Sequence, residues 1–106
     1  MKNFVIKVLI ADDNPIIREK FKQIIAEAPD IRVNGEAENG QQLLELIRKD
    51  KWDVVLLDIN MPVKGGIATL KELKKESLEI PVIIVSVHPE TEYFEAAKFL
   101  ENFYFS

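Results

Sequence analysis

The sequence predicts an α/β fold built on a parallel sheet, in one small domain. Three observations carry that expectation. Val54, Val55, Leu56 and Leu57 form an unbroken apolar run that ends abruptly at Asp58, the pattern of a central strand buried on both faces. A second β-branched run, residues 4–11, ends at Asp12 and Asp13 in the same way. Between such runs lie segments whose apolar residues repeat at helical spacing. In open parallel sheets the crossover helices cover both faces, so ligands bind above the carboxyl ends of the strands. Both carboxylate-tipped runs point to that edge.

Taken in order, residues 4–11 are the first strand, broken only by Lys7. Asn14-Pro15 opens a helix with a capping side chain followed by a proline, whose missing N–H costs nothing at the first helical position. Ile16, Ile17, Phe21, Ile24, Ile25 and Ala28 then supply an apolar stripe, with Arg18, Glu19, Lys20, Lys22 and Glu27 left for the wet side, and Pro29 closes the helix. Ile31, Val33, Gly35 and Ala37 alternate with polar residues, which suits a strand near a sheet edge. A helix is expected over 41–49 with Leu43, Leu44 and Ile47 facing in. After the strand that ends at Asp58, Met61-Pro62 stops the chain and Gly65-Gly66 permits a tight loop. A helix over 67–76 buries Ile67, Leu70 and Leu73; residues 80–86 form a fourth strand ending at Ser86; and a last helix spans 91–100. Every parallel crossover is expected to be right-handed.

Composition sets the outer bounds. The 106 residues suffice for one core, and 47% are apolar. A net charge of −4 shows no sign of a nucleic-acid surface. Without cysteine there is neither a disulfide framework nor a thiolate metal site. The apolar runs are too short to span a bilayer and the N-terminus lacks a signal-peptide layout, so a cytoplasmic location, with no membrane contact, is expected.

Asp12, Asp13, Asp58 and Ser86 all fall at carboxyl ends of strands one, three and four. If those strands are neighbours, the side chains converge. Three close carboxylates repel, and a bound hard cation relieves them; magnesium (Mg2+), which takes oxygen ligands and keeps several waters, suits the set. A carboxylate beside such an ion is a competent nucleophile toward a phosphoryl group, and Ser86 could donate to a phosphoryl oxygen. Each of these residues has a plainer reading. Asp12-Asp13 alone would be a solvated strand end leading to the Asn14 cap. His88 has no second ligand at a suitable spacing and reads as a loop residue; Trp52 reads as a partly buried strand lead-in. Lys64-Gly65-Gly66 lacks the spacing of a phosphate loop and reads as loop geometry.

Residues 8–14 (Val-Leu-Ile-Ala-Asp-Asp-Asn), residues 56–62 (Leu-Leu-Asp-Ile-Asn-Met-Pro), Gly66 and residues 84–87 (Ile-Val-Ser-Val) together resemble, in order and spacing, the receiver domain of two-component response regulators. The segments Ala37-Glu38-Asn39-Gly40 and 86–90 are most similar to the LuxR-type subfamily. The resemblance implies a flavodoxin-like (CheY-like) doubly wound sheet of order 2-1-3-4-5. It implies Asp58 as phosphoacceptor, Asp13 as a direct magnesium ligand, Asp12 as a direct or water-mediated one, the backbone carbonyl of Asn60 as a further ligand, and Ser86 as the switch hydroxyl. The implied partners are a sensor histidine kinase and, downstream in the parent protein, a DNA-binding output domain that regulates transcription.

The resemblance covers residues 4–98, after which the family would continue with a fifth strand bearing a switch aromatic and a lysine, then a fifth helix. Here the chain reads Phe99-Leu100-Glu101-Asn102-Phe103-Tyr104-Phe105-Ser106. Two readings stay open. Residues 101–106 are close to the recognition sequence of a tag-removing viral protease, which would divide the chain into a truncated receiver over 1–98 and, over 99–106, the end of the last helix plus a foreign tail; alternatively residues 103–105 are a degenerate fifth strand. On the first reading strand four becomes an exposed edge, and the chain is expected to self-associate, as a homodimer or larger, by pairing that edge or exchanging its last helix. A phosphoryl group on Asp58 would then lack its second cationic partner. Two rival functions remain beside the receiver: an interaction module that is never phosphorylated, and a metal-dependent phosphatase, against which Asn60 stands where an acid/base carboxylate would be needed. No enzymatic turnover is expected of a receiver.

Overall fold

The structure, a computed structural model, describes residues 4–58, 61, 64–76, 78–85 and 104–105. The elements are β1 (Ile6–Ala11), α1 (Pro15–Ile25), β2 (Ile31–Ala37), α2 (Gly40–Lys49), β3 (Val54–Asp58), α3 (Gly66–Lys75), β4 (Val82–Val85) and β5 (Tyr104–Phe105). The strands form one sheet of order β2-β1-β3-β4-β5, and every neighbouring pair is parallel. The expected helix over 91–100 lies outside the described residues.

Alternation along the strands builds the core. Leu9 and Ala11 of β1, Val55 and Leu57 of β3, and Val82 and Ile84 of β4 meet Leu43, Leu44 and Ile47 of α2 and Leu70 and Leu73 of α3. Leu9, Leu43, Leu44, Val55, Leu57, Leu70, Leu73, Val82 and Ile84 are sealed from solvent, so this layer holds most of the apolar area removed from water. Strand three was expected to be buried on both faces. Instead Val54, Leu56, Ile83 and Val85 on the second face are half-buried; α1 packs against β2, at the other side of the sheet order from β4.

Helix α1 differs from its sequence reading in two ways. It stops at Ile25, with Glu27 and Ala28 donating to Ile24 and Ile25 in tight i→i−3 turns; Pro29 disfavours helical backbone at the residue before it, so the helix unwinds ahead of the proline. Its inward face is also rotated. Ile17, Arg18, Phe21, Lys22 and Ile25 are half-buried, whereas Ile16 and Ile24 are each 65% exposed. Arg18 and Lys22, read as wet, turn toward carboxylates at the end of β2.

Among the described residues there is no full fifth strand, as expected; of the two readings of residues 99–106, a degenerate strand fits what is seen, since Tyr104 and Phe105 pair in parallel with Ile83 and Ile84 over two positions. An unpaired β4 edge would leave ladder donors and acceptors without partners, and the chain end supplies two residues of pairing there. Helix starts follow their caps. Asn14 Oδ1 accepts from the Ile16 and Ile17 N–H groups, and Asn39 Oδ1 from Gln42 N–H, while Gln42 Oε1 accepts from Glu38 N–H. Gly65 caps α3, its carbonyl accepting from both the N–H and the hydroxyl of Thr69, so Lys64 and Gly65 lead into the helix that Gly66 begins.

Candidate metal and phosphoryl site

Register alone brings the carboxylates together. Ala11 of β1 pairs with Leu57 of β3, so the next residues, Asp12 and Asp58, lie side by side at the carboxyl edge of the sheet. Asp13 follows on the turn into α1. One carboxylate oxygen from each of Asp12, Asp13 and Asp58 lies within 4.8 Å of the other two. The convergence expected from the sequence is therefore present for the three aspartates. Asn60, Ser86 and His88 lie outside the described residues.

The three acids are not equivalent. Asp12 is buried, Asp58 half-buried and Asp13 exposed. Burial pushes the Asp12 carboxyl above its ordinary range; the Asn14 N–H, 2.9 Å from Oδ1, opposes this, the neighbouring Asp13 charge adds to it, and the Arg18 charge opposes it. The balance is upward, so the pocket holds an anion it would prefer to protonate or neutralise. The donor set fits a hard divalent cation: all three are carboxylate oxygens, with no nitrogen or sulfur. At a magnesium–oxygen distance of about 2.1 Å, octahedral ligands lie about 3 Å apart when adjacent and about 4 Å when opposite. The cluster, within 4.8 Å, is of the same order as these separations.

Asp12 is held by its backbone as well. Its N–H donates to the Ala37 carbonyl at 3.0 Å, tying the turn to the end of β2. Its own carbonyl accepts from Arg18 Nη1 at 2.6 Å. Arg18 Nε in turn donates to Glu36 Oε1 at 3.0 Å, and Lys22 Nζ meets the other Glu36 oxygen at 3.0 Å. Lys22, followed by Arg18, holds the Glu36 carboxyl below its ordinary range, and Glu36 and Glu19 raise the Lys22 ammonium. The sequence reading missed Arg18. The available signal was Glu36 and Glu38, which bracket the end of β2 and so reach the same sheet edge as the aspartates.

With this geometry in hand, comparison with known proteins gives a consistent picture. The profile of the response regulator receiver domain matches residues 8–105. The chain is 44% identical over 85 residues to the nitrate/nitrite response regulator protein NarL of Escherichia coli, covering 80% of this chain and 39% of that protein. It is 49% identical over 80 residues to a protein-glutamate methylesterase/protein-glutamine glutaminase of Carboxydothermus hydrogenoformans, covering 76% of this chain and 23% of that one. Among solved structures, a DNA-binding response regulator of the LuxR family from Staphylococcus aureus superposes with a TM-score of 0.81 at 31% identity, covering 95% of this chain and 86% of that chain. The chain thus spans well under half the length of these two sequence relatives.

Proposed function

This chain belongs to the response regulator receiver domain family, and from that premise we propose that it is a phosphorelay receiver in which Asp58 accepts a phosphoryl group from a phosphohistidine of a sensor kinase. The observation that carries the reading is the meeting of Asp12, Asp13 and Asp58 within 4.8 Å at the ends of two adjacent parallel strands. An Asp58 carboxylate oxygen attacks phosphorus as the phosphorus–nitrogen bond breaks. The bonding pair leaves with the imidazole, and Asp58 becomes an acyl phosphate. Asp13 and Asp12 would hold magnesium, with the Asn60 carbonyl as a further ligand. When bound, the ion offsets charge on the transferring phosphoryl oxygens. Asp12 keeps a fixed, desolvated carboxylate at the floor of the site, and Asp13 closes the set from the solvent side. Ser86 is assigned as the hydroxyl that donates to a phosphoryl oxygen and reads out its presence.

The signal leaves through an output domain outside this chain. A LuxR-type DNA-binding domain is favoured by the relatives named as response regulators; the methylesterase relative is matched over only 23% of its length, and the receiver itself is assigned no turnover.

The test is incorporation from a small phosphodonor with magnesium present, followed by intact mass. The wild-type chain gains one phosphoryl group and Asp58→Asn gains none. Undiminished labelling of Asp58→Asn sinks the assignment, steady turnover of phosphate esters would indicate a phosphatase, and no labelling of the wild type would leave an interaction module.

A further inference from the structure

We propose that Arg18 is a positioning residue for the carboxylate site, acting through the backbone of Asp12 to aim Asp13; the inference rests on the metal-assisted reading above. Arg18 lies on a surface helix, yet its side chain is only 11% exposed. Its guanidinium spans two elements, with Nη1 on the Asp12 carbonyl at 2.6 Å, Nε on Glu36 Oε1 at 3.0 Å, and Nη2 3.9 Å from Glu38 Oε1. It is a strut from the end of β2 to the aspartate turn.

The Asp12 carbonyl and the Asp13 N–H belong to one rigid peptide plane. Fixing the carbonyl therefore fixes the direction in which Asp13 leaves the turn. Asp12 is otherwise secured by its N–H on Ala37 and its Oδ1 on Asn14. Asp13, exposed, has no comparable burial to aim it. Only a forked donor reaches both carbonyl and carboxylate in fixed geometry, so lysine is no substitute. Groups that hold a metal ligand from behind commonly change affinity by about 10–100-fold when removed.

Charge and positioning predict opposite signs. Deleting a cation beside three carboxylates would, by Coulomb attraction alone, tighten binding of a divalent ion; releasing the Asp12–Asp13 peptide loosens it. Lys22 supplies the control, since it shares Glu36 with Arg18 but its ammonium meets Glu36 and Glu19 rather than Asp12.

The experiment is a magnesium chloride titration of the 106-residue chain, followed by backbone amide NMR shifts, for wild type, Arg18→Gln, Arg18→Lys and Lys22→Met, with thermal melts of each. Both Arg18 variants are expected to bind magnesium about tenfold more weakly and Lys22→Met as the wild type does, while Arg18→Gln and Lys22→Met both lower the melting temperature by loosening Glu36. Unchanged or tighter binding by a folded Arg18→Gln overturns the proposal, as does an equal loss in Lys22→Met. If Arg18→Gln does not fold, Arg18→Lys decides by the same criterion. A wild-type chain that binds no magnesium fails the metal reading itself, an outcome seen before any variant is compared.

Discussion

Asp12 is where stability and function pull apart. Its carboxyl is raised above the ordinary value by burial first, with the Asp13 charge adding and the Asn14 N–H and Arg18 opposing. A folded-state value above the unfolded one means that the folded chain binds the proton more tightly. This contribution is complete below the unfolded value and declines as pH rises through the folded one. At neutral pH the metal-free protein therefore carries an ionised group that destabilises it. Asp12→Asn removes the charge and keeps an Oδ1 acceptor for Asn14. The expected outcome is a higher melting temperature than wild type at pH 7 without metal and no gain near pH 3, where both carry a neutral group. Added magnesium should narrow the difference, because it stabilises wild type more. Equal melting at pH 7 would show that the raised carboxyl has no cost. Convergence of Asp12, Asp13 and Asp58 was legible in the sequence because they follow branched apolar runs, and parallel strands deliver their ends to one edge. The strut beneath them was not, since Arg18 sits among Glu19, Lys20 and Lys22 and reads as part of a solvated face.

At the scale of elements, the pairing of β1 with β2 slips one residue between Val8 and Leu9, where Val8 faces Val33 but Leu9 faces Gly35. The position needs glycine for want of room. A Cβ on Gly35 would lie 2.4 Å from Trp52 Cη2 and 3.0 Å from Leu9 Cδ1. The indole cannot easily retreat, because Trp52 Nε1 donates to the Leu46 carbonyl at 2.9 Å and Lys7 lies over the ring, 5.4 Å from its centroid. Gly35→Ala should then destabilise by about 1–3 kcal/mol, the usual cost of overpacking, as read from urea unfolding. Pairing it with Trp52→Leu should recover part of that loss, and strictly additive effects would show that the ring is not the obstacle. Alternation at Ile31, Val33 and Ala37 identified β2 as an edge strand, but nothing in that spacing reveals a bulge. Helix α1 was misjudged for a related reason. With isoleucine at 16, 17, 24 and 25, two overlapping stripes satisfy helical periodicity, and the ion pairs of Arg18 and Lys22 with Glu36 select the one that leaves Ile16 and Ile24 outside.

For the whole molecule, the parallel α/β class followed from periodicity, whereas the strand order came from family resemblance, because no local pattern says that strand one lies between two and three. The finished sheet is uneven. β1 is paired over six positions with β2 and four with β3, but β4 meets β5 over only two. The chain reaches β5 only after a long separation, so opening β5 sacrifices two residues of pairing and returns considerable chain entropy, while opening β1 or β3 must expose Leu9, Leu57 and the α2–α3 layer. Amides of Tyr104 and Phe105 should accordingly exchange with solvent by local opening, orders of magnitude faster than those of Leu9, Ile10, Leu56 and Leu57, which should exchange only on global unfolding. Each local opening bares the β4 edge beside the half-buried side chains of Leu56, Ile83 and Val85, a ready template for a second copy. Light-scattering mass should therefore rise with protein concentration, and β4 exchange should slow in step. A chain that stays monomeric at every concentration, with β5 amides as protected as those of β3, would mean that the short ladder is as firm as the core and that β4 is never available for pairing.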